Sequence, residues 1–534
     1  MKSSQQTLTE SSLILIISTA LTKIIGALFK IPLAGESFLG DVGFGYYSVA
    51  HDLYSPFYTL AISGLPVAVS HIIAEKISKN QKADAYSAFI SCKKLFVFCG
   101  ILFSALLTLL AIPALLISKN GIYSSYSVFV IVPSVFLCFI ISVYRGYFEG
   151  FSNMYPTAIS KVIEALCKLI LGLCLSFGVL KLTNNIALAA AAAMFAVTVG
   201  TALSTLYLYL KHKHNNPLDI KLLQNNKKAE NDDLKVFVKI SAPFVMASLA
   251  ASLVAFLDIF TVKLPIDAAN SNYLNVVFAQ NGYISGDVSA YLYGVRSKAY
   301  TVYNIIPTFT VSLGVAALPV LTGLFAKDDK KSLSKNVIYS TKLICTVTFP
   351  VAIGLFALSG RVMELLYSSS THLDNNLLRL YALTGLFAGI SIPLTTVLQA
   401  VGKHKKAVTH IFIGILLKII LSLSLVFIPQ INIYAAPIGT LACYVYIAVS
   451  IILGICKAVP SDDYFSAILK PLISSVFCGI SAYLIASLSS KIVFTIIAII
   501  VGGLVYFGFI LITKVFKKSD IMAFPIINRI IRHK

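Results

Sequence analysis

Apolar runs of helical length recur from one end of this 534-residue sequence to the other. That repetition restricts the fold more than any motif does. A helix rises 1.5 Å per residue, so roughly twenty apolar residues cross the ~30 Å hydrocarbon core of a bilayer. By that criterion we count about fourteen runs: 11–33, 42–74, 93–117, 124–146, 154–180, 185–211, 236–263, 288–325, 337–360, 377–400, 406–428, 433–456, 464–487 and 492–515. None alternates as a barrel strand would. The expectation is an all-α polytopic membrane protein, with charged residues at 12%, about half the share in soluble chains. The second and eighth runs are long for one crossing and contain Pro56, Pro66, Pro307 and Pro319, which predicts kinked or interrupted helices. The first run is too long for a removable signal peptide and lacks a small-residue cleavage site.

The formal charge of +21 concentrates in alternate connections. Lys76, Lys79 and Lys82, then Lys211 to Lys235, then Lys327 to Lys335, then Lys403 to Lys406 and the tail from Lys514 all fall on one side. This is the positive-inside pattern, with both termini cytoplasmic. The basic balance therefore reflects topology and contact with anionic membrane lipids, not nucleic acid. The polar stretch 212–235 reads as a cytoplasmic linker between an N-lobe (1–211, helices 1–6) and a C-lobe (236–457, helices 7–12). Residues 458–534 add helices 13 and 14 and a basic tail. A weak internal repeat supports two pseudo-symmetric six-helix lobes: Phe148–Leu171 aligns with Leu398–Leu421 at a constant shift, placing Lys168 on Lys418. Most of the nine cysteines sit inside apolar runs without a CxxC pair, as small hydrophobes and not as disulfides or metal ligands.

Charges at membrane depth are expensive and need an account. Lys23 and Lys30 lie in the first run, and each either snorkels or faces a water-filled cavity. Arg296 and Lys298 lie in the first half of the eighth run, two residues apart and so on different faces. Lys418 has no acidic neighbour within a turn, which leaves cavity lining or a cross-helix partner. Asp52, Asp258 and His51 are candidates for ion coupling or gating. Glu164 precedes Lys168 by one turn, and Arg145 precedes Glu149 by one turn, so both pairs read as structural ion pairs. Cations outnumber anions in these spans, and such a cavity suits an anionic ligand such as a diphosphate. There is no GxxxxGK[ST] loop, no HExxH and no metal-ligating cluster. Transport without a cofactor, passive or driven by voltage or a monovalent cation, is the expectation, and catalysis is not.

Three stretches carry a resemblance: TKIIGALFKIPLAG with GFGYYSVAHDLYSPFYTLAISGLPVAVS, YRGYFEGFSNMYPTAISKVIEALCKLILG, and YGVRSKAYTVYNIIPTFTVSLGVAALPVLT. They resemble the polysaccharide-transport branch of the multidrug/oligosaccharidyl-lipid/polysaccharide exporter superfamily. Within it they are most similar to the stage V sporulation protein B-like and MurJ-like lipid II flippases of Gram-positive bacteria. The resemblance implies two lobes around a cationic cavity that opens alternately inward and outward. It also implies a groove for a polyprenyl tail beside helices 13 and 14. Lys23 falls on a cationic position of helix 1 often held by arginine, Lys30 within a residue or so of a second, and Lys298 on the basic position of helix 8. Lysine lacks the bidentate fork of arginine.

The resulting expectation is a flippase for a polyprenyl-diphosphate-linked glycan such as the peptidoglycan precursor lipid II. Lys23, Lys30, Arg296, Lys298 and Lys418 are the candidate headgroup residues, and cell-wall synthesis machinery is a candidate partner. The alternatives are a flippase for another cell-wall or capsular glycan lipid, a cation-coupled multidrug exporter, and a membrane enzyme or scaffold.

Overall fold

The computed structural model describes residues 8–117, 121–214, 252–281, 287–367, 369–489 and 491–516. The described residues are helical almost throughout and contain no strand. The chain divides into two compact units, Met1–Ser297 with Val426–Ile433, and Lys298–Leu425 with Tyr434–Lys534.

The first unit runs through α1 (Leu8–Leu33), α2 (Gly40–Ser63), α3 (Leu65–Ser78), α4 (Lys82–Ile117), α5 (Gly121–Gly150), α6 (Tyr155–Thr183) and α7 (Ile186–His214). It continues through a helical segment α8 (252–267), α9 (Ser271–Asn281) and the start of α10 (Val288–Tyr303). The second unit takes α10 from Lys298. It then holds α11 (Ile305–Ala326), α12 (Lys330–Ala357), α13 (Ser359–Leu366), α14 (His372–Ala400), α15 (His404–Val426), α16 (Ala435–Ala458), α17 (Asp463–Ser487) and α18 (Ile492–Ile512).

Twelve stretches among the described residues are long and apolar enough to cross a membrane. They coincide with twelve of the expected runs; the run 11–33 forms the 26-residue helix α1. Residues 236–251 of the seventh run, 215–235 of the expected linker and the basic tail from 517 lie outside the described residues. The chain is a multi-pass membrane protein.

Prolines set the interruptions. Pro66 and Pro307 cannot donate to the carbonyls four residues back and clash with them. The long second run accordingly breaks at Gly64 between α2 and α3, and the eighth breaks at Asn304 between α10 and α11. Pro265 acts likewise in α8. It withholds the bond due to Thr261, and the preceding turn widens to a π-helix at Ile259–Lys263, where Leu264 N–H reaches back to Ile259.

In the first unit, α7 packs on α5 and α6, α5 on α2, α3 and α4, and α1 on α6. Six alanines between Ala187 and Ala196 are buried on α7, which lets backbones approach where lipid gives helices no hydrophobic drive to associate. In the second unit, α12 lies against α14 and α17, α11 against α14, and α18 against α17. On α18, Thr495, Ala498, Gly502 and Tyr506 form one buried stripe, while Ile499, Ile500, Leu504, Phe507 and Leu511 are exposed. That exposed apolar face is what a lipid-bathed helix presents.

The start of α12 gives a first prediction. Asp329 accepts the Ser332 backbone N–H at 3.0 Å, a helix cap. That bond holds its carboxyl below the usual aspartate range. Such a group stabilises the fold above its unfolded-state value and loses the contribution as pH falls through the folded value. Asp329→Ala is expected to lower the melting temperature slightly near neutral pH, and the gap to the parent should close in acid. A pH series of thermal melts checks this.

Candidate functional site

Two helices of the first unit approach closely because of two glycines. A Cβ on Gly294 of α10 would run into the Asp41 carbonyl of α2, and one on Gly45 of α2 would run into the Ala290 carbonyl. With no side chains there, α2 and α10 meet backbone to backbone, as in small-xxx-small pairs. The approach brings Arg296 to Asp52. Arg296 is fully buried, with one guanidinium nitrogen 3.0 Å from Asp52 Oδ2. Its other terminal nitrogen is bonded to Asp258 Oδ2 of α8, beside the π-turn. Tyr293, one turn earlier, donates its hydroxyl to Asp52 Oδ2 at 2.8 Å and lays its ring against the guanidinium. His51 Nδ1 lies 3.5 Å from Asp52 Oδ1. One buried cation is thus held by two carboxylates, so its charge is more than offset.

A second buried clasp holds the start of α10. Lys263 pairs with Asp267 at 2.5 Å. The Ser289 hydroxyl bonds to both Asp267 and Asp287, the Tyr46 hydroxyl donates to Asp287 at 3.4 Å, and Asp287 caps the helix by accepting the Ala290 N–H at 3.1 Å. Sequence reasoning gave Lys263, Asp267 and Asp287 no role at membrane depth. An acidic residue just ahead of a helical run is the signal that marks Asp287.

The lysines of the same unit are placed otherwise. Lys23 is exposed, and Lys30 and Lys168 are half-buried. Lys23 and Lys30 are seven residues apart on α1, about two turns, and share a face. Lys30 interacts electrostatically with Lys23, Asp52 and Arg296. Lys168 interacts with Lys30, Lys23 and Glu164. Among the described residues, none of the three ammonium groups has a carboxylate within the 4.0 Å of an ion pair.

The expected Glu164–Lys168 and Arg145–Glu149 pairs are replaced by another arrangement. Arg145, fully buried on α5, reaches across to α6, donating to Glu164 at 3.1 Å and to Ser160 at 3.0 Å. Glu149 lies half-buried near the end of α5, within electrostatic reach of Lys161 and Arg145. Spacing along one helix does not reveal what the next helix offers. The α5–α6 packing brings an arginine fork to a carboxylate that a single-chain reading assigns to its own helix.

In the second unit, Lys298 and Asp374 are both fully buried and lie 2.9 Å apart, with the Tyr367 ring against the ammonium. The other Asp374 oxygen accepts the Thr371 N–H at 2.8 Å and its hydroxyl at 2.7 Å, closing a capping box at the start of α14. Lys418 is fully buried and donates to Thr440 Oγ1 at 2.7 Å. Of the five candidate headgroup residues, then, Arg296, Lys298 and Lys418 are engaged by buried partners. Lys23 and Lys30 carry no such carboxylate among the described residues.

The chain is similar to known proteins. A family model described as polysaccharide biosynthesis protein matches residues 8–325, and the MatE model matches 285–423. The lipid II flippase MurJ of Bacillus subtilis is 25% identical over 82% of this chain and 81% of its own length. Stage V sporulation protein B of Bacillus subtilis is 24% identical over 99% of each chain. Among solved structures, lipid II flippase MurJ in an inward closed conformation superposes with a TM-score of 0.67 at 16% identity, covering 94% of this chain and 98% of the other.

Proposed function

Since the chain belongs to the polysaccharide biosynthesis protein family, we propose that it flips a polyprenyl-diphosphate-linked oligosaccharide across the cytoplasmic membrane, with lipid II as the substrate. The observation that carries this reading is the pair Lys23 and Lys30. They are two cations on one face of a membrane-depth helix, without a carboxylate partner among the described residues. Ammonium groups in such a setting are costly unless an anion meets them. A diphosphate supplies that anion, while the glycan shares the aqueous path and the polyprenyl chain stays in lipid. The similarity to a lipid II flippase over four-fifths of the chain supports the same class of cargo.

The multidrug-exporter alternative calls for membrane-depth carboxylates that can receive an organic cation. Here Asp52 and Asp258 are occupied by Arg296, which weighs against it. Flipping itself needs no chemistry on the substrate. The protein's work is to bind the headgroup on one side and release it on the other, with binding strong enough to enter and weak enough to leave.

The test is the accessibility of lipid II on the outer leaflet of cells depleted of this protein and of redundant transporters. Export is expected to fall on depletion, to return with the parent protein, and to stay low with Lys23→Ala or Lys30→Ala at equal expression. Undiminished export in depleted cells would remove lipid II as the substrate. Full rescue by Lys23→Ala and Lys30→Ala would remove the headgroup assignment.

A further inference from the structure

Lys168 has no role in the reading above, yet its surroundings differ from those of a structural lysine. Glu164 stands one turn before it, the spacing that normally neutralises a helical lysine. That carboxylate is taken by Arg145 instead. What lies beneath the Lys168 ammonium is the face of Phe29, 5.1 Å from the ring centre, a cation–π contact.

Phe29 is itself immobilised. It is fully buried, and Gly172, one turn beyond Lys168 on α6, leaves the space its ring occupies: a Cβ there would overlap it. On its other side the ring meets Tyr47 of α2 edge-on at 5.8 Å. Lys30 is the next residue along α1, so fixing Phe29 fixes Lys168 in the neighbourhood of Lys30. The electrostatic coupling of Lys168 to both Lys30 and Lys23 agrees with that placement. Three like charges in one region repel each other, and an anion entering among them replaces repulsion with attraction to each.

We propose that Lys168 is the third arm of the headgroup site and makes that site prefer diphosphate lipids to monophosphate lipids. The inference rests on the assignment of Lys23 and Lys30 to the headgroup. Two lysines suffice for one phosphate. A third gains most from a ligand that brings a second phosphate and more negative charge. Lysine is suited to this task because a compact ammonium responds to charge, whereas the planar fork of arginine selects orientation. Phe29 keeps the third ammonium in place without cancelling its charge, which a carboxylate would do.

The experiment uses the purified full-length protein in detergent, with farnesyl diphosphate and farnesyl monophosphate as probes and binding followed by calorimetry. The parent is expected to bind the diphosphate more tightly. Lys168→Gln should weaken diphosphate binding about tenfold, the loss of one charge-assisted contact. It should change monophosphate binding little and leave the melting temperature close to the parent's. Lys168→Arg should keep the preference. Should the glutamine variant not fold, Lys168→Met, which can lie on the Phe29 ring, takes its place with the same expectation. An unchanged diphosphate-to-monophosphate ratio in the charge-removing variant overturns the proposal, whether or not its melting temperature drops. If that variant is unchanged while Lys23→Ala loses diphosphate binding, the role of Lys168 fails and the headgroup assignment stands. If neither Lys23→Ala nor Lys30→Ala affects binding, or the parent binds neither probe, the headgroup assignment fails and this proposal with it.

Discussion

Arg296→Ala should melt far below the parent protein and accumulate poorly in the membrane. The guanidinium is fully buried between Asp52 and Asp258. Deleting it takes from two interior carboxylates the guanidinium that lies between them. Breaking a buried pair in this one-sided way costs about 3–5 kcal/mol, a large part of the stability of most folds. Arg296→Lys should fall between, because a compact ammonium lacks the two separated nitrogens of the guanidinium fork, each of which meets one carboxylate. The decisive comparison is Arg296→Met combined with Asp52→Asn and Asp258→Asn. Removing all the charges together avoids the stranded carboxylates, so the triple variant should recover much of the stability that Arg296→Ala loses. Thermal melts of the purified variants read this directly. A triple variant that is less stable than Arg296→Ala would show that contacts other than the charges hold α2, α8 and α10.

The fold was legible because its signal is coarse. Runs such as 185–211 and 492–515 need only length and apolarity to be recognised, and Pro66 and Pro307 break helices by local chemistry that any sequence displays. The site was legible in its residue types but not in their pairings. Asp52, Asp258 and Arg296 stood out as charges at membrane depth. That all three converge depends on how α2, α8 and α10 pack, a long-range fact with no local signature. For the same reason Glu164 was assigned to Lys168, its neighbour along α6, when α5 brings Arg145 to it. Lys298 and Asp374 lie 76 positions apart by their residue numbers and 2.9 Å apart in space. Nothing in either neighbourhood announces the other. One overlooked signal was present: Ala290 and Gly294 are four residues apart on α10, a small-xxx-small spacing that marks a helix meeting another at close range.

That close approach sets the second large effect. Gly294→Val should separate α2 from α10 and release Arg296 from Asp52. A Cβ on Gly294 meets the Asp41 carbonyl, which is backbone and cannot swing aside as a side chain would. Overpacking a filled interface costs about 1–3 kcal/mol even where side chains can adjust, and here the helix itself must move. The Tyr293 and Arg296 bonds to Asp52 lie one residue before and two residues after the obstruction, so they lengthen together. The mechanism therefore predicts non-additivity. If Gly294→Val already detaches Arg296 from Asp52, adding Arg296→Met costs much less in that background than in the parent, because the interaction it would remove is largely gone. A double-mutant cycle on melting temperature measures the difference. Strictly additive losses would mean that α10 can move away from α2 without disturbing the arginine, and that the glycine contact and the ion network are independent features of the unit.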